Sequence, residues 1–364
     1  MIKKIFQNIF KSFFQFLFKI IYGNVVYLDN NLESKNILIQ KVKNKQIHKY
    51  NNDFYQVYSI LNGRVYTDQV ENLAIINEKN ILDNISYQQQ NGNFNKSNTN
   101  KVLRIGTPRI KKKIKSNLLI LSQGGSGIDN YFHWLFDILP KIKICSEIYD
   151  INKIDYFYLT KLKKFQKDIL DLLGLKNIKI IDSNIYRHVQ AKKIIAVDHP
   201  WHQNGLILEE VNKMPKWIIF WLRETFLPKA ENFQTCDKIF IDRTESKFNR
   251  CKIINDDEVF YYLETKGFKK YKVGQLSFQK QIHLFKNAKV VIGPHGAAFA
   301  NLIFCSPKTK IIEIKPQKHP NYLHKKISEH LNLDYNLIET PTIEKKFRNE
   351  GDIIIDLDNL KKII

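Results

Sequence analysis

Residues 293–304 read G-P-H-G-A-A-F-A-N-L-I-F, between the apolar runs Lys289-Val290-Val291-Ile292 and Lys310-Ile311-Ile312-Glu313-Ile314. An apolar run, a tight Gly/Pro turn, a helix start and a second apolar run spell a β-α-β unit of a parallel sheet. The turn places His295 where the first N–H groups of a helix lack intrahelical acceptors, a setting that suits an anion. Gly293 and Gly296 allow close approach of backbone to a ligand. Taken alone, the run predicts either a phosphate site of no particular kind or an ordinary tight turn.

The same alternation continues on both sides. Downstream and just upstream, strands are expected at Lys238–Ile241, Phe268–Val273, Val290–Ile292, Ile311–Ile314 and Tyr335–Ile338. Helices are expected from Asp256 or Asp257 to Gly267, from a Ser277 cap to Ala288, and over Tyr322–Leu331. Further upstream, Leu118–Leu121, Tyr156–Leu159, Ile178–Ile181 and Ile194–Val197 read as strands. Tyr131–Ile148, Phe165–Leu173 (stopped by Gly174) and Trp217–Leu227 read as helices, the first kinked or broken by Pro140. Residues 24–115 alternate short apolar stretches with polar turns, and Gln88–Asn100 reads as a loop. The expected fold is α/β, with two doubly wound parallel sheets and a mixed N-terminal extension. Boundaries fall at a basic amphipathic helix, 1–23, a first domain, 24–230, a polar linker, Pro228 to Asp237, a second domain, 238–340, and a tail, 341–364, packing back on the first domain.

With 364 residues, 43% of them hydrophobic and 24 of them Phe, the chain has ample material for a core, which excludes global disorder. The net charge of +22 is compatible with phosphates, acidic substrates or an anionic membrane surface. The lysines are dispersed, and no zinc-finger, ribonucleoprotein or basic helix-turn-helix pattern is present, so no nucleic-acid partner is expected. Four cysteines without a C-x-x-C pair fit free thiols in a reducing, cytoplasmic compartment. At the N-terminus, Ile5, Phe6, Ile9, Phe10, Phe13, Phe14, Leu17, Ile20 and Ile21 recur at helical spacing with lysines between them. The apolar runs are too short to span a bilayer, and no signal-peptide cleavage site follows. This helix either lies on an anionic inner membrane face or docks on its own domain.

In open α/β sheets ligands bind beyond the carboxyl ends of strands, and three post-strand loops carry chemistry. In G-G-S-G-I-D-N-Y-F-H-W-L-F-D-I-L-P, from Gly124 to Pro140, His133 and Asp137 stand four apart on one helix face. A histidine oriented by a carboxylate is a general base, or a buried structural pair. Asn130 takes the place of the third glycine of a dinucleotide fingerprint, which weakens an oxidoreductase reading. Asp242-Arg243-Thr244 and Arg250 follow the strand Lys238–Ile241, and guanidinium groups there suit a diphosphate or a surface ion pair with Glu245. The Gly293–Asn301 turn is the third, with Glu313 at the next strand's end within reach of a ribose hydroxyl. Asp356-Leu357-Asp358 reads as a helix cap rather than a metal-binding D-x-D. Asp198, His199 and His202 make a weak metal cluster that borders the cleft.

Together and in this order, these loops resemble glycosyltransferase family 61. The matching residues are Asn130–Pro140, Asp242-Arg243 with Arg250 and Asn255, Leu276-Ser277-Phe278, Gln281, Phe285, Ala288, Gly293–Ala297, Asn301, Phe304 and Glu313. Asp242 stands where many relatives carry serine. The resemblance spans roughly Ser122 to Ile338. It implies a GT-B architecture and inverting transfer from a nucleotide-sugar donor to a glycan or lipid-linked glycan acceptor in surface-polysaccharide synthesis, with no cofactor and no essential metal. Arg243, Arg250, Gly293, His295, Gly296, Ala297, Asn301 and Glu313 would hold the donor in the second domain. His133 supported by Asp137 would be the base on the acceptor side, with Asp137 itself as the alternative. The competing readings are another Rossmann-type nucleotide enzyme, a basic nucleic-acid-binding protein, or a GT-A transferase using Asp356 and Asp358.

Overall fold

The computed structural model describes residues 2–28, 35–69, 72–90, 93–95, 97–122, 130–203, 206–244, 251–317, 319–343 and 351–364. The chain divides into two compact units, one ending at Pro215 and the other running from Lys216 to Ile364.

The first unit is not a doubly wound parallel sheet. It is one mixed sheet of twelve strands among the described residues. Lys112–Ile120, Tyr156–Leu159 and Lys179–Asp182 lie parallel, and His188–Val197 joins them parallel to Lys112–Ile120. The other partners of His188–Val197 are antiparallel: its start pairs with Arg64–Tyr66 and its end with Val57–Leu61. This ten-residue strand therefore fuses the N-terminal strands to the α/β part in a single sheet. The alternation predicted only its last four residues, because Gln190, Lys192 and Lys193 interrupt the apolar pattern. The core gathers Tyr58, Ile60, Val65, Leu118, Ile120, Tyr158, Val189 and Ile194. Residues Gln88–Gln90 and Asn93–Asn95, expected in a loop, form a small antiparallel hairpin. Gln88 is buried there, and its Oε1 accepts from the Lys101 N–H at 3.2 Å.

Pro140 is absorbed without a break. Tyr131–His133 and Leu139–Ser146 are α-helical, and Trp134–Ile138 between them is a π turn in which the Leu139 N–H reaches Trp134 O. Proline lacks an N–H, and its ring would crowd the carbonyl four residues back. Widening the helix just before it relieves both problems.

The second unit contains a five-stranded, all-parallel sheet: β1 (Lys238–Ile241), β2 (Lys269–Tyr271), β3 (Val290–Pro294), β4 (Lys310–Pro316) and β5 (Asp334–Thr340), in the order β2-β1-β3-β4-β5. The runs K-I-F-I and V-V-I-G-P are apolar because both sheet faces are covered. Helix Phe278–Asn287 starts at Ser277, whose Oγ accepts from the Lys280 N–H at 3.2 Å. The helix expected to close the first half, Lys216–Phe226, belongs to this unit: Arg223 Nη1 donates to the carbonyls of Ile303 and Cys305 at 2.6 and 2.7 Å.

The tail, expected on the first unit, belongs to this one in its described residues. Ile353, Ile355 and Leu360 join Phe240, Val259, Ile292 and Ile312 in one core. Asn255 fixes it, donating to Ile355 O at 2.9 Å and accepting from Ile355 N–H at 3.0 Å. Asp356 caps the last helix through the Asp358 N–H at 2.9 Å, which is the helix-cap reading of D-x-D.

Candidate active site

From β1 the chain moves outward to β2, then crosses back to β3 on the other side. The carboxyl ends of β1 and β3 thus flank the point where strand order reverses, the usual ligand crevice of such sheets. The loops leaving those two ends carry Arg243 and His295. Gly293 is required by strand contact, since a Cβ there would come within 2.7 Å of the Ile241 side chain. At Gly296 the φ of 163° is ordinary extended backbone. Its constraint is steric instead: the Arg243 guanidinium fills the space that a Cβ would occupy. Arg243 Nη1 also donates to the His295 carbonyl.

Beyond Gly296, Ala297–Phe304 forms a short 3-10 helix rather than an α-helix. Residues 295–298 are largely buried but reach the surface, and the helix behind them is fully buried from Phe299 on. Asn301, expected to touch the donor, is fully buried. Its Nδ2 donates to Gln281 Oε1 and Ala298 O, both at 3.1 Å, so it braces the helix against Phe278–Asn287. Arg250 and Glu245, and the glycines of 124–127, lie outside the described residues.

Glu313 is not at a solvated edge. It is 1% exposed, and its Oε1 accepts from His295 Nδ1 at 2.5 Å and from His324 Nδ1 at 2.7 Å. Its Oε2 accepts from the Tyr335 hydroxyl at 2.6 Å. With protein donors on both oxygens, this carboxylate orients His295, a different task from holding a ribose hydroxyl. Burial would raise its pKa, but the His324 and His295 imidazoles more than offset that and hold it well below the usual carboxylate range. Burial pushes His295 down to about 4, against the opposing pull of Glu313. His295 is therefore neutral at pH 7, with Nδ1–H given to Glu313 and the lone pair left on Nε2.

His295, Glu313 and His324 also form the metal-competent group among the described residues. Their Nδ1–Oε1 spacings are those of hydrogen bonds. Ligands about 2.0–2.1 Å from a tetrahedral ion stand roughly 3.3 Å apart, and these nitrogens are 2.5 and 2.7 Å from Oε1.

In the first unit, His133 Nδ1 and Asp137 Oδ2 are 2.8 Å apart, as the four-residue spacing predicts. The helix start is set by Asn130, whose Oδ1 accepts from the Phe132 N–H at 2.9 Å. A residue absent from the sequence reading completes the pair: Trp201 Nε1–H donates to Asp137 Oδ1 at 2.7 Å. Asp137 is 1% exposed, whereas the His133 side chain is 28% exposed. The carboxylate, held from both sides, accepts a hydrogen bond from Nδ1–H and leaves the lone pair on His133 Nε2. That is the arrangement of a general base. One turn further on, buried Lys141 donates to Leu121 O at 3.1 Å, and burial holds its pKa well below normal. The H-x3-D-x3-K spacing is visible in the sequence, but the lysine's burial is not.

The cluster of Asp198, His199 and His202 does not converge. Asp198 turns to Lys49 Nζ at 2.6 Å and to the Gln56 N–H at 2.9 Å. His199 Nδ1 accepts from the His202 N–H at 3.0 Å and shapes the turn that presents Trp201.

Residues 131–312, half of the chain, match the model of the family described as Glycosyltransferase 61. The chain is 27% identical over 153 residues to the "Beta-1,2-xylosyltransferase RCN11" of Oryza sativa subsp. japonica. That stretch is 40% of this chain and spans 26% of the Oryza protein.

Proposed function

The chain belongs to glycosyltransferase family 61, and from that premise we propose that it moves a sugar from a nucleotide-sugar donor to a hydroxyl of a glycan acceptor. In this reading the transfer inverts the anomeric centre, needs no metal, and serves surface-polysaccharide synthesis on a GT-B scaffold. The observation that carries it is the Arg243 guanidinium seated on the Gly296 turn at the β1/β3 reversal point.

The second unit takes the donor. Arg243 and the leading N–H groups of the 297–304 helix face the diphosphate, and His295 joins them by taking up a proton. A neutral Nε2 only accepts hydrogen bonds, whereas a protonated one donates to phosphate, and Glu313 stabilises that charge through Nδ1. The first unit takes the acceptor. His133 Nε2 removes the hydroxyl proton as that oxygen attacks the anomeric carbon. The new C–O bond forms while the bond to the diphosphate breaks. The departing charge is met by fixed positive groups, so no step calls for a Lewis acid. Asp137 and Trp201 keep the imidazole in the accepting tautomer.

The test is product analysis. The purified chain is incubated with nucleotide sugars and a glycan acceptor, and the new linkage is read by NMR. Transfer with inverted anomeric configuration supports the reading. Retained configuration, or transfer that persists undiminished in Arg243→Ala, refutes it.

A further inference from the structure

Helix Ile2–Tyr22 carries two apolar stripes with different fates. Phe14, Phe18 and Tyr22 recur every four residues and form the more buried stripe, and Tyr22 ties the helix to its unit. Phe18 is buried and stacks on Tyr22 at 5.8 Å. The Tyr22 ring meets His188 edge-on at 5.0 Å, and its hydroxyl accepts from the Lys111 N–H at 2.9 Å. Gly106, with φ +69°, leaves room for Lys19 where a Cβ would come within 2.9 Å of it.

The second stripe is Phe6, Ile9, Phe10, Phe13, Phe16 and Ile20, spaced by one, three and four residues. Every one of these is between 59% and 70% exposed. A helix docked on its own domain buries its apolar face; this one docks by a narrow edge and turns the greater part of that face outward. Lys3, Lys4 and Lys11 are exposed along the same helix, which contains no acidic residue. Among the described residues, no helix is long and apolar enough to cross a membrane.

We infer that this stripe is a docking surface for an anionic lipid bilayer, with the helix lying in the headgroup plane. Aromatic rings insert among the acyl ends, Lys3 borders the stripe, and Lys4 and Lys11, on the opposite helix face, are drawn to the anionic surface from the water side. The charge selects this occupant over a second copy of the chain: the helix bears lysines and no acidic residue, so a second copy offers it no opposite charge, whereas anionic headgroups neutralise it.

The experiment uses the full chain in vesicle co-sedimentation, with vesicles of phosphatidylcholine alone or mixed with phosphatidylglycerol. The parent is expected to bind the mixed vesicles roughly tenfold or more tightly than the neutral ones, and less so as salt rises. The triple variant Phe6→Glu, Phe10→Glu, Phe13→Glu is expected to lose binding while keeping the parent's melting curve, since all three side chains are exposed. Lys3→Glu, Lys4→Glu, Lys11→Glu is expected to lose the preference for anionic lipid. Equal sedimentation of the parent and the Phe triple variant overturns the inference. So does a parent dimer in analytical ultracentrifugation that the Phe triple variant abolishes, with no vesicle binding by either.

Discussion

The guanidinium of Arg243 lies where a side chain on Gly296 would have to stand. A residue at the end of β1 thereby dictates the identity of one after β3, and the pair marks the crevice where strand order reverses. Gly296→Ala should leave the backbone unstrained yet push the guanidinium off the turn. Donor affinity should fall at least about tenfold, given roughly 1.5–3 kcal/mol for a hydrogen bond to a charged group. Calorimetry with the parent's nucleotide sugar measures this, and an unchanged affinity would show that Arg243 does not touch the donor.

On the proposed acceptor side, Asp137→Asn keeps the shape but offers an amide to both His133 and Trp201. We expect kcat to drop about a hundredfold or more, within the usual range for general acid–base groups, with KM little altered. Trp201→Phe, which removes only one donor to Asp137, should give a smaller drop. If kcat in Asp137→Asn equals that of the parent, the base lies elsewhere.

The titration of His295 fixes a sign. Its folded pKa of about 4 lies below its ordinary 6.5, so between those values the unfolded chain binds the proton and the folded chain does not. Stability is therefore full above pH 6.5 and falls as pH drops toward 4, by at most about 1.4 kcal/mol per pH unit from one such group. Glu313, also depressed, adds a loss of the same sign at lower pH. Melting temperatures across this window should decline, and His295→Gln should flatten the slope. A parent more stable at pH 4.5 than at pH 7 is incompatible with a buried neutral His295.

Binding should run the other way. A donor diphosphate favours protonated His295, so nucleotide-sugar binding takes up a proton, and affinity weakens as pH rises. Calorimetry in two buffers of different ionisation enthalpy counts that proton. No buffer dependence would mean that His295 stays neutral in the complex.

The second unit was largely legible in the sequence because parallel, doubly covered strands are short apolar runs punctuated by local signals. Ser277 and Gly267 mark helix ends within one turn of their own residues. The first unit was less legible because its sheet is assembled from distant pairings. Lys193 sits opposite Leu61, and nothing near either residue announces the other. The site divides in the same way. His133 and Asp137 are neighbours on a helix, so four-residue spacing was enough. Trp201 arrives from a loop beyond a strand, and Glu313 receives His324 from a later helix and Tyr335 from β5. Only the parallel register of β4 on β5 brings that tyrosine alongside. Glu313 itself was visible, but its burial reversed its expected role from ligand contact to orienting group.

The hydrogen-bond spacing of His295, Glu313 and His324 predicts that transfer survives a chelator. Activity after EDTA treatment and dialysis should match the untreated enzyme, and added zinc should not restore anything. Loss on chelation, recovered by a divalent ion, would mean that the three groups open to hold a metal.

The central claim is that the β1/β3 crevice grips a donor diphosphate, and a thermal-shift screen over UDP-, GDP-, CMP- and dTDP-sugars tests it most directly. It is run on the parent, Arg243→Ala and His295→Ala. One nucleotide class should raise the melting temperature of the parent and of neither variant. Equal stabilisation of all three proteins would contradict the assignment.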